Sequence, residues 1–342
     1  MTYQCLLLAG AAALSMVATE ALAQDKPVNL RLSYWVAPSH MLTPGYKDWA
    51  AALEKESGGT IKTTLFPSSQ LGSGSDHYDM VRRGIADVGL ISPGYTAGRF
   101  PVIAAVDLPF LVSDSSKAAP AIRRWYAKYA EKEMSDHYVC AIVLHEPGTF
   151  HSAKKEIRVP SDMKGLKVRS ANQTIGTLIA STGGNAVQVP IMEAYDTLKR
   201  GITDAITIPW DNLTHPAFKF GEVTAYSLDV PLYVSAFTHG ISRKTYDSLS
   251  PAQKKAIDAV CTPEWSAKIQ AHWYKDAVVR TQDIRTSGRK LTKPSAEELE
   301  LWRDAAQPIY AAWATSVKNA GYDPEVVLNE LKEELKKAGA LY

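Results

Sequence analysis

Arg83-Gly84-Ile85-Ala86-Asp87-Val88-Gly89-Leu90-Ile91 returns later in the chain as Arg200-Gly201-Ile202-Thr203-Asp204-Ala205-Ile206-Thr207-Ile208. In both copies a helix-like run ends in basic residues, a glycine stops it, one acidic residue follows, and a short apolar strand begins. A Gly-Gly pair stands upstream of each copy, Gly58-Gly59 and Gly183-Gly184. A unit used twice predicts two similar α/β lobes. Two such lobes facing each other enclose a cleft, and the carboxyl ends of their strands point into it.

The flanking sequence extends both copies. Before the first, Val28 to Val36 alternates apolar and polar residues with the period of a half-buried strand. A helix over Tyr46 to Ser57, a strand over Thr60 to Phe66 and a helix over Asp76 to Arg83 complete a βαβαβ series, the pattern of a parallel sheet covered by helices. Ser115 to Ser135 reads as a long helix and Val139 to Leu144 as a strand, after which His145-Glu146-Pro147-Gly148 offers a crossing point. The second series runs through a strand at Lys167 to Arg169, a helix at Thr174 to Ser181 that Ser170 or Asn172 could cap, a strand at Asn185 to Val189 and a helix at Glu193 to Arg200. Val230 to His239 is expected to return as a strand. Beyond Pro251 the chain reads as almost wholly helical, with long amphipathic runs around 252–282 and 296–317.

Composition sets the class. The 342 residues are 46% hydrophobic and 22% charged, and Lys+Arg (38) nearly balances Asp+Glu (36). This is globular material for about two domains, with no basic field to attract nucleic acid. The apolar run Leu6 to Val17 followed by Ala21-Leu22-Ala23 resembles an export signal cleaved after Ala23, although Met1 to Cys5 carry no Lys or Arg. The run is too short for a membrane span of about 20 residues. Export would place Cys140 and Cys261 where they can pair, and two buried free thiols fit the sequence equally well.

Arg169 is the most suggestive single residue. It ends a strand directly before a capped helix, and its planar fork matches a carboxylate; an ordinary surface salt bridge is the competing reading. His145 and His151 flank the Pro-Gly turn, but no HExxH, CxxC, Gly-x-Ser-x-Gly or phosphate loop accompanies them. Asp87 and Asp204 fall at helix-to-strand turns and read as turn residues. No catalytic constellation, metal set or cofactor motif emerges.

Leu65-Phe66-Pro67 with Gln70-Leu71-Gly72, Gly84-Ile85-Ala86-Asp87-Val88-Gly89, Asp107-Leu108-Pro109-Phe110-Leu111, Lys164 to Arg169, and Glu193-Ala194-Tyr195 through Gly201-Ile202-Thr203-Asp204 occur in this order. This series resembles the DctP-type solute-binding proteins of TRAP (tripartite ATP-independent periplasmic) transporters. The resemblance implies an α/β, two-lobe periplasmic-binding-protein-like fold with mostly parallel sheets, a hinge, and long C-terminal helices spanning both lobes. It places lobe I over 24–147 plus 235–275, and lobe II with the spanning helices over 148–234 plus 276–342. It implies a periplasmic receptor that delivers an organic acid to a small and a large membrane subunit; a monomer is expected. The family's carboxylate-binding arginine falls on Arg169. Many relatives carry Asn where Ile208 stands, and several carry a second Arg where Phe150 stands.

Those two departures bear on the ligand. A second carboxylate would be buried without a partner against Phe150 and Ile208, which is costly. Trp35, Tyr95, Tyr195 and Trp210 would add flat apolar walls, Ser92 a hydroxyl, and His40, His145 or His151 a partner for a ring hydroxyl or keto oxygen. Burying one ring removes about 150–250 Å², worth roughly 4–6 kcal/mol at about 25 cal/mol/Å². The expected ligand is an aromatic or bulky apolar monocarboxylate, with a small aliphatic keto or hydroxy acid or a C4-dicarboxylate as the alternative. An exported hydrolase, or a binding protein serving a sensor, would share much of this sequence pattern.

Overall fold

In each copy of the repeated unit, the aspartate clamps the backbone of the neighbouring parallel strand. Asp87 N–H donates to the Arg31 carbonyl (3.0 Å) while its carboxylate accepts the Arg31 N–H (2.9 Å). Asp204 does the same at Lys167, at 2.6 and 2.9 Å. The preceding glycines, Gly84 and Gly201, sit at φ 75° and 68°, where a side chain would be strained. The unit is thus a helix stop and a strand clamp in one, which explains its reuse.

The computed structural model describes residues 25–342, and the export signal expected over 1–23 lies outside them. The chain lays down β1 (Val28–Ser33), β2 (Ile61–Phe66), β3 (Val88–Ile91) and β4 (His137–Leu144). It then crosses to a second sheet for β5 (Gly148–Ser152), β6 (Lys167–Ser170), β7 (Asn185–Gln188), β8 (Ala205–Pro209) and β9 (Tyr226–Leu228). β10 (Ala236–Ser242) returns to the first sheet and β11 (Lys290–Thr292) joins the second. The strand orders are β2-β1-β3-β10-β4 and β11-β9-β5-β8-β6-β7. Each sheet is parallel except for one strand, β10 or β5, which is antiparallel to both of its neighbours. The two antiparallel strands follow the crossings from β4 to β5 and from β9 to β10. This is the mixed α/β fold that the sequence predicts.

The helices are α1 (Leu42–Glu56), α2 (His77–Arg82), α3 (Ser115–Glu133), α4 (Gln173–Ser181), α5 (Ile191–Lys199), α6 (Arg243–Ser248), α7 (Pro251–Val260), α8 (Pro263–Thr286), α9 (Ala296–Asn319) and α10 (Pro324–Lys337). Asn172, rather than Ser170, caps α4 by accepting from Ile175 N–H. Ser250 with Gln253 and Ser295 with Glu298 form capping boxes that start α7 and α9. The long run expected around 252–282 is two helices, because Cys261-Thr262-Pro263 breaks it: proline starts α8 and cannot continue α7. The strand expected from Val230 begins only at Ala236. Its first half holds Pro231 and makes isolated contacts, including Leu232 N–H to the Gly148 carbonyl.

Two helices tie the sheets together. α8 reaches the first sheet through the Ser266 hydroxyl, which accepts Ile142 N–H, and through Gln270, which bonds both backbone groups of Leu144. It reaches the other lobe through Trp273 to Asp211 and Arg285 to Asp229. In α9, Trp302 donates to the Arg158 carbonyl and Trp313 to that of Pro101. Both buried apolar clusters therefore run through both sheets. Cys140 on β4 and Cys261 after α7 form a disulfide, which settles a pairing the sequence leaves open. Among the described residues no helix is long and apolar enough to cross a membrane.

Candidate functional site

The carboxyl ends of β1, β3, β4, β6 and β8 converge on a cavity between the two sheets. The first sheet's side contributes Trp35, His40, Leu90, Tyr95 and, at the end of β4, His145. The second contributes Arg169 from β6, Thr207 and Ile208 from β8, and Asn212 from the turn after it. Tyr233 and Ser235 come from the return segment, Phe237 from β10 and Trp273 from α8.

Among the described residues, Arg169 is the sole formally charged one bordering this cavity, and it is only 1% exposed. Its Nε–H donates to the Val189 carbonyl (3.0 Å) and Nη1–H to the Thr207 carbonyl (3.1 Å). Two of the five guanidinium N–H donors are thus fixed by backbone, which sets the plane of the fork. The remainder, including all of Nη2, has no bond among the described residues, and no carboxylate pairs with the side chain. A buried cation without a counter-ion is unfavourable unless an anion joins it.

The other polar groups are neutral. His40 accepts Leu42 N–H on Nδ1 (3.2 Å), which leaves Nε2 carrying the proton. Burial, and then neighbouring His215, push its pKa down to about 3. His145 is arranged the opposite way. Its Nδ1 lies 2.6 Å from the Glu146 carbonyl and so carries the proton, and its Nε2 is a buried acceptor with no partner. Burial, opposed by that carbonyl and reinforced by Arg169, brings it down to about 4. The remaining wall is a run of rings: Trp35 lies 5.8 Å from Phe237, Phe237 6.0 Å from Trp273, and Trp273 4.9 Å from His40. Offset and edge-on contacts at these distances make a rigid apolar box.

Of the residues singled out in the sequence, Trp35, His40, Tyr95, His145, Arg169 and Ile208 border the cavity. Five do not. Phe150, 1% exposed, stacks on Trp302 of α9 because β5 turns alternate residues to opposite faces. His151 faces the other way, but both its nitrogens are engaged, by Ser227 Oγ and the Ile208 carbonyl. Trp210 covers His151 and lies under the Arg285 guanidinium. The Tyr195 hydroxyl donates to Glu222 at the surface. Ser92 is buried where it opens the turn that carries Tyr95. Tyr233, Phe237 and Trp273 were missed because their segments reach the cavity only through the return crossing and the spanning helix.

The family described as bacterial extracellular solute-binding protein, family 7, matches residues 32–316. A TRAP solute binding protein from Rhodoferax ferrireducens, solved with copurified benzoate, superposes with a TM-score of 0.83 at 27% identity, covering 91% of this chain and 98% of that one. A marine metagenome TRAP solute binding protein specific for aromatic acid ligands, solved with 3-hydroxybenzoate, gives 0.83 at 25% identity over 92% and 99%. The 2,3-diketo-L-gulonate-binding periplasmic protein of Escherichia coli is 26% identical over 259 residues, 74% of this chain and 75% of its own.

Proposed function

This chain belongs to the bacterial extracellular solute-binding proteins, family 7, and we propose that its ligand is an aromatic or bulky apolar monocarboxylate held by Arg169. It is a solute receptor of the TRAP type. The observation that carries the ligand reading is the pairing of one buried, counter-ion-free guanidinium with walls of aromatic rings. The carboxylate takes the open edge of the fork, and the apolar body lies among Trp35, Phe237 and Trp273. A second carboxylate would meet neutral His40 and His145 and stay unpaired. A polyhydroxy acid, like that for which the E. coli relative is named, would set its hydroxyls against those rings. The benzoate and 3-hydroxybenzoate of two relatives agree with this reading.

Function follows from closure. The ligand enters between the lobes, its carboxylate meets Arg169, and excluding water strengthens that pair. The closed form, preferred by the difference in ligand affinity, is then presented to the small and large membrane subunits for uptake. We place receptor and ligand in the periplasm, with the chain beginning after Ala23 and acting as a monomer.

A thermal-shift screen of the exported chain tests the ligand class. Benzoate and 3-hydroxybenzoate should raise the melting temperature, since ligand at about 100 times Kd stabilises by about 2.7 kcal/mol, and Arg169→Ala should abolish the rise. Stabilisation by succinate or malate without any aromatic acid would overturn the reading.

A further inference from the structure

One corner of the cavity is chemically incomplete. His145 is 5% exposed, and its ring is oriented by the 2.6 Å contact of Nδ1 with the Glu146 carbonyl. That contact makes Nδ1 the donor, so Nε2 can only accept. Nε2 is buried and has no donor among the described residues. The Tyr233 ring meets the His145 ring edge-on at 5.1 Å. Its hydroxyl is likewise buried and, although turned toward Thr207, has no hydrogen bond of normal geometry. The corner adjoins the anchor: Thr207 supplies the carbonyl that fixes Arg169 Nη1, and the Arg169 charge bears on both His145 and Tyr233. A buried acceptor and a buried hydroxyl left unmatched are both unfavourable.

Resting on the monocarboxylate reading above, we infer that the ligand carries a hydroxyl on the carbon next to its carboxylate, donating to His145 Nε2 and accepting from the Tyr233 hydroxyl. The class is thereby narrowed to 2-hydroxy acids with an aromatic or bulky apolar body. A 2-keto acid satisfies Tyr233 but brings no proton for His145. An unsubstituted arylacetic acid satisfies neither. His145 stays an acceptor because its burial beside Arg169 opposes a second proton. His40, the other cavity histidine, presents a proton instead and reads acceptors only.

Calorimetric titration of the disulfide-bonded exported chain tests this with phenylacetate, mandelate and phenylglyoxylate, and with lactate and propionate. Mandelate should bind about tenfold or more tightly than phenylacetate and phenylglyoxylate, the scale of one buried hydrogen bond. His145→Phe keeps a ring but no acceptor, so the mandelate:phenylacetate ratio should fall to about one. His145→Gln, which can still accept, should retain part of the ratio and gives a second reading if the phenylalanine variant does not fold. Equal binding of mandelate and phenylacetate by the wild type, as expected if only water fills the corner, overturns the inference. So does a ratio that survives in His145→Phe. If no aromatic acid binds but lactate outbinds propionate in a His145-dependent way, the aromatic reading fails and the hydroxyl subsite stands. If none of the five binds, both fall.

Discussion

Arg169 owes its position to two carbonyls, those of Val189 and Thr207, on segments flanking its own strand. A lysine there keeps the charge but cannot bond two carbonyls and a carboxylate fork together. Arg169→Lys should weaken binding of the best monocarboxylate by about 10–100-fold, the scale of one or two charge-assisted hydrogen bonds; titration showing unchanged affinity would remove Arg169 from the anchor role. This residue was legible in the sequence because strand, cap and fork coincide within Lys167 to Asn172. Phe150 and His151 were not, since their facing depends on which side of β5 meets α9, and α9 starts more than 140 residues later. The Ile208 reading needs only the end of β8, a local matter, and Ile208 does border the cavity.

At the scale of elements, the segment after β3 is the part of the first sheet that grips the second. Gly94 accepts from Gln188 Nε2 (2.8 Å), Tyr95 Oη accepts from Ile191 N–H (3.1 Å), and Gly98 N–H donates to Gln173 Oε1 (2.7 Å). A Cβ on Gly94 would lie 2.6 Å from the Asn172 Cβ, closer than side chains approach. Gly94→Ala should therefore oppose closure and weaken ligand binding about tenfold or more, while the ligand-free melting temperature changes little; unchanged affinity would show that this contact does not limit closure. The Cys140–Cys261 disulfide closes a loop with a sequence separation of 121, for which chain entropy gives up to about 5 kcal/mol. Replacing both cysteines by alanine should lower the denaturant midpoint clearly, and an unchanged midpoint would contradict that. The repeated unit was readable because its glycine, aspartate and strand act locally. β5, β9, β11 and the true start of β10 were not, because short strands at a crossing are defined by the neighbours they pair with.

For the whole molecule, buried ionisable groups set the pH range. His40, His77, His137, His145, His151, His215 and His239 are held below the usual imidazole value, in each case chiefly by burial. The unfolded chain binds these protons near pH 6.5, so their contribution is full above that value and is lost as pH falls toward 4. Four carboxyls oppose them. Burial raises Asp107 and Glu146 to about 8, Asp211 to about 6, and Glu133 above the usual carboxyl value. The folded state keeps those protons while the unfolded chain releases them near pH 4, so this contribution is lost as pH rises toward 8. The more numerous histidines make the acid side steeper. Thermal stability should peak near pH 7, fall sharply from about pH 6 to 4, and decline gently toward pH 9; a flat profile from pH 4 to 7 would contradict this account.

The central claim, one charge in an apolar cavity, is tested most directly by titrating the exported chain with benzoate and with isophthalate, which adds a second carboxylate to the same ring. Benzoate should bind one to one, and isophthalate about 100-fold more weakly or not at all, because its second charge has no partner to receive it. Isophthalate binding as tightly as benzoate, or succinate binding where benzoate does not, would contradict it.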